Sequence, residues 1–356
     1  MRRPPAPEPE PTAPATRDVL RQVRQIELRT RGLVTSIFGG EYQSVFRGQG
    51  MEFSEVREYE PGDDVRNIDW NVTARTGHPY VKKHVEEREL TVLLVVDLSG
   101  SEQFGTRGRF KAELAAELAA VLALSAVRNN DRVGLLIFSD HVEHVVPPRK
   151  GRRHALRLIR DVLAFRPRGR GTDIPGALDY AARLLAHRGI IFLLSDFALA
   201  GTDDGAERDD AGGDGNGSER RDATVRRDAT VRRDATVRRD ATDANGTEAA
   251  RLEKTLKLVS RRHDVVGVSI SDPAELDLPD IGVVALEDPE TGELTWVDTG
   301  RDDVHEKFTA LLTRERARTR RLFRRLGVDE IEVRTDQPYV KPLLAFFRRR
   351  ERMRGR

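Results

Sequence analysis

The fold is decided by the stretch Leu90-Thr-Val-Leu-Leu-Val-Val-Asp97-Leu-Ser99-Gly-Ser101, a strand-length apolar run that ends in one aspartate and two serines. Further apolar runs follow at 133–138, 190–194, 265–270 and 281–286. Strands that are apolar on both faces and alternate with amphipathic helices are typical of a parallel sheet covered on both sides. We therefore predict an α/β fold with a doubly wound, mostly parallel sheet.

The helices are predicted from apolar residues that recur at three- and four-residue steps. They cover residues 17–38, 110–127, 155–165, 174–186, 248–260, 305–326 and 341–352, and two short strands are predicted at 294–297 and 330–334. In the second helix, Phe110, Leu114, Leu118 and Leu122 share one face, so this helix is expected to pack on the sheet.

The composition excludes several classes of protein. The 356 residues contain no cysteine, which rules out disulfide scaffolds, thiol nucleophiles and cysteine-ligated metals. Lysine and arginine (61) nearly balance aspartate and glutamate (59), so the chain is not a polycation. No apolar run approaches the ~18 residues that cross a bilayer, and the N-terminus has no apolar signal core. We expect a soluble, cytoplasmic protein without a transmembrane segment.

Two segments are expected to stay solvated. Residues 4–14 contain six prolines, which predicts an extended, disordered tail over 1–16. Residues 203–247 contain 12 acidic residues and 9 arginines, and within them the hexapeptide R-R-D-A-T-V repeats from Arg220. One valine per repeat cannot build a core, so we interpret this segment as a disordered insertion; a charged interaction or phosphorylation tail is the alternative.

The chemistry is expected where the first buried strand ends. In an open parallel sheet, ligands bind outside the carboxyl ends of the strands, at the switch point. Asp97, Ser99 and Ser101 offer hard oxygen donors there, and such donors with few charges suit Mg²⁺. Thr172 or Asp173, in a glycine-rich loop, and Asp196, after a second apolar strand, are expected to approach the same edge.

A simpler interpretation exists for two of these features. Aspartate and serine after a strand often only cap a helix. Asp173 precedes Ile174-Pro175, and proline favours the first turn of a helix, so Asp173 is expected to be a cap.

The residues resemble a known pattern. The D-x-S-x-S motif, the later threonine and the later aspartate look like the metal-ion-dependent adhesion site of von Willebrand factor A domains. A series of further motifs is similar to the signature of the domain-of-unknown-function 58 family, over roughly residues 40–200 and more loosely 248–350. These motifs are Gly50-Met-Glu-Phe53, Arg57-Glu-Tyr59, Pro61-Gly-Asp-Asp-Val-Arg66, Ile68-Asp-Trp70, Ala74-Arg75, Val81-Lys82, Glu86-Glu87 and Pro147-Pro-Arg-Lys-Gly151.

The resemblance implies a fold, a ligand set and a partner. It implies a von Willebrand factor A-like domain over 90–300, after an N-terminal helix (17–40) and a small β-rich region (41–89), and before a basic helix-strand-helix segment (301–356). It implies that Mg²⁺, or another divalent cation, is held by a set of five residues. They are Asp97, Ser99, Ser101, Thr172 and Asp196. It also implies action with a MoxR-type AAA ATPase on a client protein, whose acidic side chain would reach the metal.

A second polar cluster lies in the β-rich region. Asp63, Asp64, Arg66 and Asp69 are interpreted as a buried network of Arg–Asp pairs, and a second functional surface is the alternative. Trp70 is expected to be a core anchor rather than a stacking platform for nucleic acid.

We expect a non-enzymatic, Mg²⁺-dependent protein-binding module that acts with an AAA ATPase. No Walker-type G-x-x-x-x-G-K-[ST] motif is present, so this chain is not expected to be the ATPase itself. One alternative is a metal-dependent phosphoester hydrolase using Asp97 and Asp196. The other is nucleic-acid binding through residues 314–356, which have 15 basic and 6 acidic residues. The few aromatic residues there have helical spacing, which favours a core position.

Overall fold

A computed structural model describes residues 16–34, 42, 50–87, 89–103, 110–197, 249–275, 280–287, 292 and 294–354. The R-R-D-A-T-V insertion, and all of the proline-rich tail except Thr16, lie outside the described residues.

A six-stranded sheet forms the centre of the protein, in the order β10-β7-β6-β3-β4-β5. Its strands are β3 (Thr91–Asp97), β4 (Arg132–Phe138), β5 (Val142–Arg149), β6 (Ile190–Ser195), β7 (Asp264–Ser271) and β10 (Asp329–Arg334). All neighbours are parallel except β4 and β5, which pair antiparallel at one edge. The prediction of a mostly parallel sheet is confirmed.

Helices cover both faces of this sheet, which confirms the doubly wound arrangement. The helices are α1 (Thr16–Leu33), α2 (Trp70–Thr76), α3 (Lys111–Arg128), α4 (Arg152–Ala164), α5 (Ile174–Leu184), α6 (249–262), α7 (Asp302–Leu326) and α8 (Val340–Arg354). On β3, Val92, Leu94 and Val96 pack with α1, α3, α4 and α8, whereas Leu93 and Val95 pack with α5, α6 and α7. Alternate side chains of a strand point to opposite faces, so an uninterrupted apolar run serves two cores.

The C-terminal segment contributes one strand to the main sheet. Strand β10 pairs parallel with β7, with Ile331 opposite Val268. Phe323, Phe346 and Phe347 are buried in the two cores, which confirms the core position expected for these aromatic residues.

The strand predicted at 281–286 is present, but its predicted burial is wrong. Strand β8 (Val283–Glu287) pairs antiparallel with β9 (Leu294–Asp298) in a separate two-stranded sheet. Val283 and Trp296 are exposed. An apolar run of six residues shows strand propensity but does not specify which sheet the strand joins.

The β-rich region contains a hairpin of β1 (Gly50–Glu58) and β2 (Tyr80–Glu87), with α2 between the strands. Trp70 is 69% exposed, so the prediction of a core anchor is wrong. The reason is local: Asp69 caps α2 by accepting from the N–H groups of Asn71 (3.0 Å) and Val72 (3.3 Å), and this seven-residue helix buries none of its residues.

The predicted buried network of Arg–Asp pairs is also wrong, because of its four members only Asp69 is buried. Asp63 accepts from Arg57 at 2.6 Å, and Asp64 accepts from the N–H of Arg66 at 2.9 Å. These carboxylates hold successive turns in place, since each satisfies a donor close to it in sequence.

In the described part of the chain, no helix combines the length and the apolarity that crossing a membrane requires.

Gly267 offers a test of how tightly β7 packs. A Cβ added there would lie 2.5 Å from Cε2 and 3.0 Å from Cζ of Phe323, which is buried and packs edge-on against Phe197. We expect Gly267→Ala to lower the free energy of unfolding by about 1–3 kcal/mol, measured by urea denaturation. Gly32→Ala is the control, because a Cβ there meets nothing within 4 Å and alanine favours helix α1. An unchanged unfolding midpoint for Gly267→Ala would contradict this account.

Candidate metal centre

The carboxyl ends of β3 and β6 form the switch point of the sheet. From β3 the chain continues to β4 on one side, and it later returns to place β6 on the other side. Val96 lies opposite Leu194, so Asp97 at the end of β3 is level with Ser195 at the end of β6. The expectation that Asp97 and Asp196 lie on neighbouring strand ends is therefore confirmed.

Asp97 is completely buried and is held by neutral donors. Its Oδ1 accepts from the N–H of Ser99 at 2.9 Å, and its Oδ2 accepts from Ser195 Oγ at 2.7 Å. Burial, together with the charge of Asp196, raises the pKa of Asp97 from 3.8 to about 7, even though the hydrogen bonds from Ser99 and Ser195 oppose the shift. A carboxylate in this setting gains from a nearby cation, because the cation replaces the solvation that burial removes.

The two serine hydroxyls of the motif converge beside this carboxylate. Ser99 Oγ and Ser101 Oγ are 3.2 Å apart, because the chain turns into a short 3₁₀ helix at Gly100–Gln103. Adjacent oxygen ligands of an octahedral Mg²⁺ ion, each at about 2.1 Å, lie about 3 Å apart. The two hydroxyls therefore have the spacing that neighbouring ligands of such an ion require.

The loop that carries Thr172 lies at the same edge. The carbonyl of Arg170 accepts from the N–H of Gly100 at 2.8 Å, and the N–H of Asp173 donates to the carbonyl of Ser139 at 2.7 Å. These two bonds fix the backbone on both sides of Thr172 against the ends of β3 and β4.

Glu143 anchors this loop and was not predicted as a site residue. It accepts from the N–H groups of Arg168 (2.7 Å) and Gly169 (2.9 Å), and from Ser139 Oγ (2.8 Å). Burial favours the neutral acid, but these hydrogen bonds outweigh burial and hold the pKa of Glu143 below its usual value. No local pattern reveals this role, because the two bonds from the loop span 25 and 26 residues.

Asp173 acts as a helix cap. Its Oδ1 accepts from the N–H of Gly176 at 3.0 Å at the start of α5, and it also pairs with Arg251 at 3.2 Å. The prediction that Asp173 caps the helix is confirmed.

Asp196 is paired with an ammonium group. Lys111 Nζ lies 2.8 Å from Asp196 Oδ2 and also contacts Glu275. Lys111 and Glu275 were not predicted. The signal for Lys111 was its position one turn before Leu114 on the buried face of α3, where a charged residue needs a buried partner.

Within the described ranges, no group of three or more histidine, aspartate or glutamate side chains is arranged to hold a metal ion. The candidate centre instead combines the carboxyl groups of Asp97 and Asp196 with the hydroxyls of Ser99 and Ser101, and the loop that carries Thr172 lies at the same edge of the sheet.

The fold and the site define a three-layer α/β protein with carboxyl and hydroxyl groups at the switch point of its sheet. The chain belongs to the family described as "Protein of unknown function DUF58", whose sequence model matches residues 55–213 and 219–318. An uncharacterized protein of Mycobacterium tuberculosis is 29% identical over 335 residues, which are 93% of this chain and 89% of that protein. An uncharacterized Mycobacterium bovis protein matches to the same extent.

Solved structures with a similar chain path come from other bacteria. The conserved hypothetical protein BatB of Bacteroides thetaiotaomicron is 14% identical, with a TM-score of 0.40, over 75% of this chain and 100% of its own. The PilB minor pilin of Streptococcus sanguinis is 13% identical, with a TM-score of 0.37, over 77% of this chain and 64% of its own.

Proposed function

We propose that this chain is a non-enzymatic, Mg²⁺-dependent protein-binding module with a von Willebrand factor A-like adhesion site. One observation carries the proposal: buried Asp97 lies at the switch point, beside two hydroxyls 3.2 Å apart. This arrangement fits a divalent ion, because it places a buried carboxyl group beside two hard oxygen donors with the spacing of adjacent octahedral ligands.

Each residue has a distinct task in this proposal. The hydroxyls of Ser99, Ser101 and Thr172 contact the ion, while Asp97 and Asp196 act mainly through water. Ser195 positions Asp97 by donating to its Oδ2 at 2.7 Å. When bound, the ion supplies a Lewis-acidic coordination position for an acidic side chain of the partner.

We propose that the partner system is a MoxR-type AAA ATPase and a client protein. Support comes from membership of the family and from the resemblance of the D-x-S-x-S motif to an adhesion site. The chain has no Walker-type phosphate-binding motif, so the proposal assigns nucleotide hydrolysis to the partner.

The proposal is tested with Asp97→Ala. We expect the variant to bind Mg²⁺ at least about 10–100-fold more weakly in calorimetric titration, because the loss of a group that orients metal ligands usually has this effect. In pull-downs from native lysate, followed by mass spectrometry, we expect an AAA ATPase or a client only with wild-type protein and Mg²⁺, and not with EDTA.

Asp173→Ala is the matched control, since it removes a carboxylate at the same edge of the sheet that caps α5. It should retain Mg²⁺ affinity and partner recovery. If Asp97→Ala keeps both while remaining folded, the proposed function is wrong.

A further inference from the structure

Lys111 is a buried cation in an unfavourable position. It is the first residue of α3 and has 0% of its surface exposed. Removal of an ammonium group from water is costly, and the N-terminus of a helix carries positive partial charge that disfavours a cation. Lys111 therefore depends on the acidic groups that surround it.

Those groups come from the ends of two strands. Asp196 follows β6 and lies 2.8 Å from Lys111 Nζ, and Glu275 contacts the same nitrogen from the short turn after β7. Glu275 in turn accepts from the N–H of Asp272 at 3.1 Å, and Asp272 accepts from Thr335 Oγ1 at 2.6 Å. The ammonium group thus joins the candidate centre to the ends of β7 and β10.

The two aspartates of the candidate centre differ in their surroundings. In the described part of the chain, Asp97 is hydrogen-bonded to the neutral groups of Ser99 and Ser195. Asp196 has a cation on its Oδ2. A positive charge at this distance both neutralises Asp196 and repels a second cation nearby.

We propose that Lys111 is a tethered counter-ion that competes with the divalent ion for Asp196, and so sets the divalent-ion affinity of the centre. This inference rests on the proposed function. It follows that the wild-type protein binds the ion more weakly than the same oxygen donors would without Lys111 beside them. The bound ion also keeps more of its positive charge for the partner's carboxylate.

The test uses Mg²⁺ alone as the probe. Lys111→Met removes the counter-ion but leaves Asp196 and Glu275 buried together, which endangers the fold. Lys111→Met/Glu275→Gln removes one positive and one negative charge, so the net charge of the site is unchanged and Asp196 loses its ion pair with Lys111. We expect the double variant to bind Mg²⁺ about tenfold or more tightly than wild type in calorimetric titration. Its melting temperature should also rise more with added Mg²⁺.

Lys150→Met is the control, because Lys150 pairs with Glu89 on a more exposed surface; its Mg²⁺ affinity should equal that of wild type. Suppose that wild type binds Mg²⁺, that Asp97→Ala does not, and that the folded double variant binds Mg²⁺ no more tightly than wild type. That result would overturn the counter-ion role of Lys111 but would leave the proposed function standing. If neither wild type nor the double variant binds Mg²⁺, the proposed function fails, and the counter-ion role fails with it.

Discussion

Replacement of Arg350 by methionine is expected to lower the free energy of unfolding by about 3 kcal/mol. Arg350 projects from α8 to the first residues of two neighbouring strands. Its guanidinium donates two bonds of 2.7 Å to Asp264 and one of 2.5 Å to Asp329, and its side chain is only 12% exposed. Its loss leaves two mostly buried carboxylates side by side, with only the more exposed Arg349 still donating to Asp329.

The control for this prediction is Arg349→Met, on the same helix. Arg349 also donates to Asp329, at 2.8 Å, but its side chain is 48% exposed, so its pair is expected to contribute about 0–1 kcal/mol. Urea denaturation followed by circular dichroism measures both variants. A similar loss of stability in both would show that burial of Arg350 has no special effect.

Asp131→Asn is expected to make the protein more stable at neutral pH, by up to about 3 kcal/mol. Asp131 is buried before β4 and accepts from the N–H of Leu90 at 2.9 Å. Burial, together with the charge of Glu89, raises the pKa of Asp131 from 3.8 to about 6, even though the bond from Leu90 opposes the shift. The folded protein thus binds this proton more tightly than the unfolded chain.

The sign of the pH dependence follows from that difference. The stability associated with Asp131 is fully present below pH 4 and is lost as pH rises through about 6, because the unfolded carboxyl ionises first. Asparagine keeps an acceptor for Leu90 but does not titrate. The variant should therefore match wild type near pH 4 and exceed it at pH 7, in urea denaturation at both pH values.

Asp63→Asn supplies a control of opposite sign. The hydrogen bonds from the N–H of Glu60 and from Arg57 hold the pKa of Asp63 below its usual value, so its contribution to stability is present above that value and is lost in acid. This variant should be less stable than wild type at pH 7. A stability difference for Asp131→Asn that is the same at both pH values would contradict the raised pKa.

The elements of the main sheet could be predicted because their sequences encode burial directly. The run over 90–96 has no polar face, and it forms the strand buried on both sides. The apolar face of α3 and the capping role of Asp173 were likewise readable, because each depends on residues within one or two turns of chain. For the same reason the placement of Asp97 at a carboxyl end followed from the motif alone.

Interactions that join distant parts of the chain could not be predicted in this way. Strand β8 has an apolar sequence, yet it pairs with β9 outside the main sheet, while the less apolar β10 joins the sheet beside β7. Trp70 has the size and apolarity of a core residue, but α2 is too short and too exposed to bury it. An apolar sequence shows that a segment tends to be buried. Whether it is buried depends on the packing of the rest of the chain, which must supply a surface to cover it.

The sequence by itself determined the class of fold, the strand that carries Asp97, and the oxygen donors of Ser99 and Ser101 beside it. Only the tertiary structure decided that Lys111 pairs with Asp196, 85 residues away, and that Arg350 joins Asp264 across 86. The physical reason is that the local periodicity of apolar residues shows which side of each segment is buried and which side is exposed to water. The partner of a buried charge, in contrast, is settled only when folding brings distant segments together and each charge must be neutralised where it lies.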